Sequence, residues 1–216
     1  MDDEDFEYLP ALTTALTDPS EETRTIDGWR IERAGLIHGT AGHGTIYDPL
    51  GPEASGFPMR PGGTPVYLVF SEDAPRSPVA ALVHPGETVP VRTEECGDRQ
   101  ATPSGLAVLH ADPSSAWIAP STGMLKRAWA TLHARAAGGD EWRLENLREM
   151  LQRASIDPAD WPVEPVEGDF ANGWLMIPDE AGTGTVLGIL ADPDGSNTIL
   201  CLDAEGNTVA TLLVLE

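Results

Sequence analysis

From Trp29 to the end of the chain one device recurs: a short apolar run, rich in Val, Ile, Leu and Thr, closed by Gly, Pro, Asp or Ser. Runs of this length are too short for core helices and suit antiparallel strands. The pattern predicts strands at Trp29–Ala34, Leu36–His38, Thr45–Tyr47, Pro65–Phe70, Val79–His84, Thr88–Arg92, Leu106–His110 and Ala116–Ile118. Between them, Pro49–Pro61 carries three further prolines and two glycines and reads as a long irregular connection. The last third repeats the pattern at Gly173–Ile177, Thr185–Leu190, Thr198–Leu202 and Thr208–Leu215. Asp192-Pro193-Asp194-Gly195-Ser196 and Asp203-Ala204-Glu205-Gly206-Asn207 separate the last three as turns. A C-terminal β-meander follows from that spacing.

Two segments break the rhythm. Leu125, Ala128, Trp129, Leu132 and Ala136 recur at helical spacing after a Ser121 or Thr122 cap, and Gly138-Gly139 closes that helix. Leu144, Leu147, Leu151 and Ala154 form a second stripe, with Asp140 placed to cap it. Both stripes are one-sided, so the pair is expected to pack as a hairpin against a sheet. Near the start, Phe6, Leu9, Leu12 and Leu16 lie three or four apart behind four acids, which predicts an N-terminal amphipathic helix. Ile156–Gly168 holds three prolines and reads as a surface crossover.

The chain has 35 acidic residues against 13 Lys and Arg, a net charge of −22. Such a surface repels nucleic-acid phosphates and anionic lipid; it serves solubility, a halophile's adaptation or the docking of a basic partner, and the sequence leaves the three open. No apolar run reaches the roughly 18 residues needed to cross a bilayer. MDDEDFEYLP is acidic where a secretory leader is basic, so a cytoplasmic protein is expected. Cys96 and Cys201 form no CxxC pair. Cys201 lies in an apolar run and reads as a buried thiol, while Glu94-Glu95 beside Cys96 argue against a nucleophile there.

The most site-like stretch is Ile37-His38-Gly39-Thr40-Ala41-Gly42-His43-Gly44-Thr45-Ile46-Tyr47-Asp48-Pro49. Its glycine spacing is not that of a dinucleotide fingerprint, and no Lys-Ser or Lys-Thr follows to make a P-loop. His38, His43 and Asp48 are the candidate metal ligands, with His84 or His110 as more distant additions. The expectation is nonetheless a turn between two strands, with solvated histidines and no metal or other cofactor. Asp192-x-Asp194-Gly195 departs from the calcium-loop spacing, which wants glycine at position six. Ser104 and Ser121 lack the G-x-S-x-G elbow of a strained nucleophile. The six tryptophans read as core or interface anchors.

Three blocks resemble a widespread bacterial domain family of unknown function. They are Gly44-Thr45-Ile46-Tyr47-Asp48-Pro49-Leu50, then Pro61-Gly62-Gly63-Thr64-Pro65-Val66-Tyr67-Leu68, then Pro78-Val79-Ala80-Ala81-Leu82-Val83. They match its G-x-[IV]-x-D-P, P-G-x-[YT]-P-V and VA-A strands in order, over about 40 residues. The resemblance implies a β-rich bacterial module of a kind associated with toxin–immunity loci, and assigns no catalytic residue.

The sequence therefore predicts an α+β protein in one compact unit. It comprises an N-terminal helix and loop (1–24), an antiparallel β-rich body (25–120), a helical hairpin (121–155) and a C-terminal meander (170–216). The expected function is a non-catalytic, acidic partner-binding protein, of immunity or regulatory type toward a basic protein. The alternative is a small hydrolase or metal-dependent enzyme whose residues converge only in three dimensions.

Overall fold

The computed structural model describes residues 23–215, apart from 27, 40–41, 52–53, 61, 74, 85–87, 89, 96–101, 111–121, 179–184 and 194–196. In chain order the strands begin with β1 (Thr23–Ile26), β2 (Trp29–Ile37), β3 (His43–Tyr47) and β4 (Ala54–Pro58). Then come β5 (Thr64–Ser71), β6 (Ala80–Val83), β7 (Arg92–Glu95) and β8 (Leu106–His110). Two helices follow, α1 (Thr122–Arg135) and α2 (Glu141–Arg153), joined by a short 3-10 turn at Ala136–Gly138. The chain closes with β9 (Trp174–Pro178), β10 (Thr185–Leu190), β11 (Asn197–Leu202) and β12 (Thr208–Val214). The expected N-terminal helix, the strand Ala116–Ile118 and the Ser121 cap lie outside the described residues.

The strands form two antiparallel sheets, so the α+β class with a helical hairpin is observed. One sheet has seven strands in the order β1-β2-β5-β6-β12-β11-β7, the other five in the order β4-β3-β8-β10-β9. Alternation along each strand sorts the apolar side chains by layer. Val66, Leu68 and Phe70 of β5 face Ala107 and Leu109 of β8 and Leu187 and Ile189 of β10, forming the core between the sheets. Tyr67 and Val69 point the other way, with Leu82 and Leu212, on the outer face of the seven-stranded sheet. β5 is buried along its whole length except Ser71. Its unbroken apolar run follows from that, because a strand covered on both faces has no side for polar residues.

The helical hairpin covers the outer face of the five-stranded sheet. Met124, Leu125, Trp129 and Leu132 of α1 and Leu144, Leu147 and Leu151 of α2 pack on Leu106, Val108, Val186 and Leu190. Burying each large apolar side chain contributes up to about 1.5–3 kcal/mol. Gly188 allows the close approach: a Cβ there would lie 2.5 Å from the Met124 sulfur. Gly139, at φ 115°, reverses the chain between the helices and donates its N–H to Ala136 O. Asp140 stands at the start of α2 but does not cap it with its side chain. Its carboxylate goes to Arg135 and Arg143 instead, at 3.4 and 3.7 Å.

Several expectations are corrected. The four C-terminal strands are present but do not run as one meander. β9 and β10 pair in the five-stranded sheet, and β11 and β12 pair in the seven-stranded one. The chain crosses between layers after β10, where Ala191 N–H donates to Gly105 O and Asp192 N–H to Leu215 O. The turn Asp203–Asn207 does join a hairpin: Asp203 Oδ1 accepts from Glu205 N–H and Asn207 N–H. The two strands expected at 29–34 and 36–38 are one strand with a bulge between Arg33 and Gly35. The connection Pro49–Pro61 contains the edge strand β4, and the strand expected at Thr88–Arg92 lies further on as β7. Among the described residues no helix is long and apolar enough to cross a membrane.

Candidate functional site

The glycine-rich stretch joins two strands, β2 and β3, which do not pair with each other. β2 belongs to the seven-stranded sheet and β3 to the five-stranded one, so the stretch carries the chain from one layer to the other. Its three polar candidates have separate surroundings. His38 N–H donates to Thr185 Oγ1 at 2.8 Å, and its Nδ1 lies 2.7 Å from Gly62 O. His43 is exposed at the first position of β3. Asp48 is 2% exposed; it accepts from Leu50 N–H at 2.6 Å and Ser104 N–H at 2.7 Å, tying the end of β3 to the loop before β8. Burial raises its pKa against the pull of those hydrogen bonds. His84 is buried beside Thr88 O, and His110 is buried opposite Thr45. Among the described residues no three His, Cys, Asp or Glu side chains gather in a metal-binding group.

Cys201 and Ser104, the described members of the thiol and serine candidates, are not set up as nucleophiles. Cys201 is fully buried and desolvation pushes its thiol up to about 11, the opposite of an activated sulfur. Ser104 contributes its backbone N–H to Asp48. Cys96, Ser121 and Asp194 lie outside the described residues.

A cleft of about 590 Å³ opens instead where the two helices meet the segment that follows them. Trp129 sits on α1 one turn before His133, and their rings meet edge to face, with centroids 4.6 Å apart. α2 ends where Ser155 turns left-handed, at φ 58°, and Ile156 N–H donates back to Leu151 O. That stop throws the chain back across the helices. Pro158, Pro162 and Pro165 then restrict its course, and Trp161 N–H closes a turn on Pro158 O. The Trp161 ring meets the Trp129 ring at 6.2 Å and 89°, so two indoles at right angles floor the cleft.

Cations stand near both indoles, and of the two Arg148 lines the cleft. The Arg148 guanidinium stands 5.7 Å from the Trp129 ring centre, and Lys126 Nζ 5.9 Å from that of Trp161. Burial first, and Arg148 second, lower the His133 pKa, so the imidazole is neutral near pH 7. Trp129 Nε1 and His133 Nε2 have no hydrogen-bond partner among the described residues. Asp157 and Gln152 complete the polar lining.

The outer side of the same segment is different. From Asp157 to Gly168 it forms no helix or strand, as the prolines predicted, and most of its side chains are exposed. Asp160, Glu164, Glu167 and Val166 stand outside the cleft, while Asp157 and Val163 are exposed and also line it; Val163 is 54% and Val166 61% exposed. None of these four carboxylates is ion-paired among the described residues. The sequence reads the tryptophans as core or interface anchors, and Trp129 does lie in the core beneath the hairpin, but that reading does not disclose the cleft. A signal was available: Trp129 and His133 are four apart on one helix, which places them on one face.

No protein-family model, curated protein or solved structure matches this chain, so the chemistry of the site has to be read from its own residues.

Proposed function

We propose that the protein is a non-catalytic, cytoplasmic binding protein whose acidic surface docks a basic protein, in an immunity-type or regulatory role. The observation that carries this reading is the segment 157–168: four carboxylates without an ion pair among the described residues and two exposed valines, on a proline-stiffened frame. Exposed valines lose water on docking, and unpaired carboxylates attract a cationic face from a distance. The frame is held at Trp161 by the indole pair, so little order has to be imposed on binding. The same field repels nucleic acid.

The test is a pull-down at low salt, followed by association kinetics with the recovered partner. The partner is expected to be basic, and its association rate to fall as salt rises. Replacing the four acids together (Asp157→Asn, Asp160→Asn, Glu164→Gln, Glu167→Gln) should slow association about tenfold and change dissociation less. An association rate indifferent to both salt and these substitutions would overturn the proposal. Turnover of a small ester, nucleotide or sugar, with no partner recovered, would put the enzyme reading in its place.

A further inference from the structure

We propose that the cleft between α1, α2 and Trp161 binds a small aromatic monocarboxylate, its ring against the indoles of Trp129 and Trp161 and its carboxylate on Arg148.

The size and floor of the cleft come first. Its volume falls within the roughly 300–1,000 Å³ usual for small-ligand sites. Two indoles at right angles offer one ring a face and an edge together, the geometry aromatic groups prefer.

The distribution of charge gives the ligand its sign. α1 and α2 carry six cationic side chains. Four are ion-paired: Arg127 with Asp169, Arg135 and Arg143 with Asp140, and Arg153 with Glu149. The two without an ion pair among the described residues are Lys126 and Arg148, which stand over Trp161 and Trp129. Arg148 has no ion pair among the described residues, and an arginine so placed beside an aromatic cleft can take a carboxylate from outside. Its planar fork matches a carboxylate with two parallel hydrogen bonds. Asp157, at the same cleft, repels a second negative charge, which selects a monoanion over a phosphate dianion. The neutral His133 and the Gln152 amide add donor or acceptor capacity around the ring.

This site shares Asp157 and Val163 with the exposed segment, and differs from the docking surface in its floor, the indoles of Trp129 and Trp161, and in its cation, Arg148. The probes are naphthalene-2-carboxylate, its neutral carboxamide and 2-naphthyl phosphate, followed by tryptophan fluorescence and titration calorimetry on the full chain. The carboxylate should saturate the protein below ~1 mM, and the carboxamide and phosphate should bind about tenfold more weakly. Arg148→Gln, at an exposed position, should bring the carboxylate down to the affinity of the carboxamide. Trp161→Ala should weaken both, and Arg153→Gln neither. Equal binding of carboxylate and carboxamide would overturn the proposal. So would a carboxylate affinity unchanged in Arg148→Gln, or no saturable binding of the carboxylate.

Discussion

A methyl group at position 44 would lie 2.5 Å from Phe57 Cζ and 2.6 Å from the Met59 sulfur, both buried in the core between the sheets. Gly44 is thus required by packing within β3, where a sequence reading sees only a flexible turn. Gly44→Ala should cost about 1–3 kcal/mol, because Phe57 or Met59 has to leave a filled core. A lower urea midpoint at unchanged slope would register it; an unchanged midpoint would show that the core yields freely. His84 makes a separate prediction. Burial, with Arg60 adding to it, lowers its pKa from 6.5. The native protein therefore refuses a proton that the unfolded chain accepts below about pH 6.5. Stability should fall as pH drops from about 7.5, and level off only below the native pKa of the imidazole. His133 is shifted in the same direction. His84→Gln should flatten the decline between about pH 7 and 5.5 in urea titrations at each pH. An unaltered slope would assign the proton uptake elsewhere.

At the scale of elements, the strands most legible in the sequence are apolar runs that the core covers on both faces, although the edge strand β9 was legible too. β5, β8, β10 and β12 are apolar runs closed by breakers, and the structure places each within a residue or so of its expected bounds. β4 was not legible because Ala54-Ser55-Gly56-Phe57-Pro58 holds a single large apolar residue. Its place is secured by backbone pairing to β3 and by Phe57 alone. β7, Arg92-Thr93-Glu94-Glu95, is likewise an edge strand with largely exposed charges, which discourage further strand addition. The helices were legible because one apolar stripe serves one sheet face. The expected meander failed for a different reason: a turn sequence states that the chain reverses, and carries no record of which layer the next strand joins. The cleft was hidden for the same reason. Trp129, Arg148 and Trp161 come from three successive segments, and only the left-handed stop at Ser155 brings the third back over the first two.

At the scale of the molecule, the charge is unevenly distributed. Residues 122–155 hold six of the thirteen Lys and Arg and four of the thirty-five acids, and the rest of the chain holds seven and thirty-one. The helical hairpin is thus a near-neutral, ion-paired layer on a strongly acidic body. Its pairs respond weakly to salt where they are shielded, as Arg127–Asp169 is, with the Asp169 side chain 6% exposed. The body has far less compensation, with Arg30–Glu32 as one pair and seven Lys and Arg against thirty-one acids, and repulsion among its exposed carboxylates opposes folding. Added salt shortens the reach of that repulsion to about 8–10 Å and so should stabilise the native state. The melting temperature is expected to rise between about 20 and 200 mM salt and then to level. Sodium, potassium and tetramethylammonium chlorides should act alike, since screening depends on ionic strength. The variant with Asp157, Asp160, Glu164 and Glu167 neutralised should start higher and gain less, because it removes four charges from the repelling set. A melting temperature that falls with salt would mean that attractive pairs outweigh repulsion. A rise confined to one cation would point to bound ions in place of screening. With either result the acidic surface would no longer be a free field, and long-range steering of a basic partner would lose its physical basis.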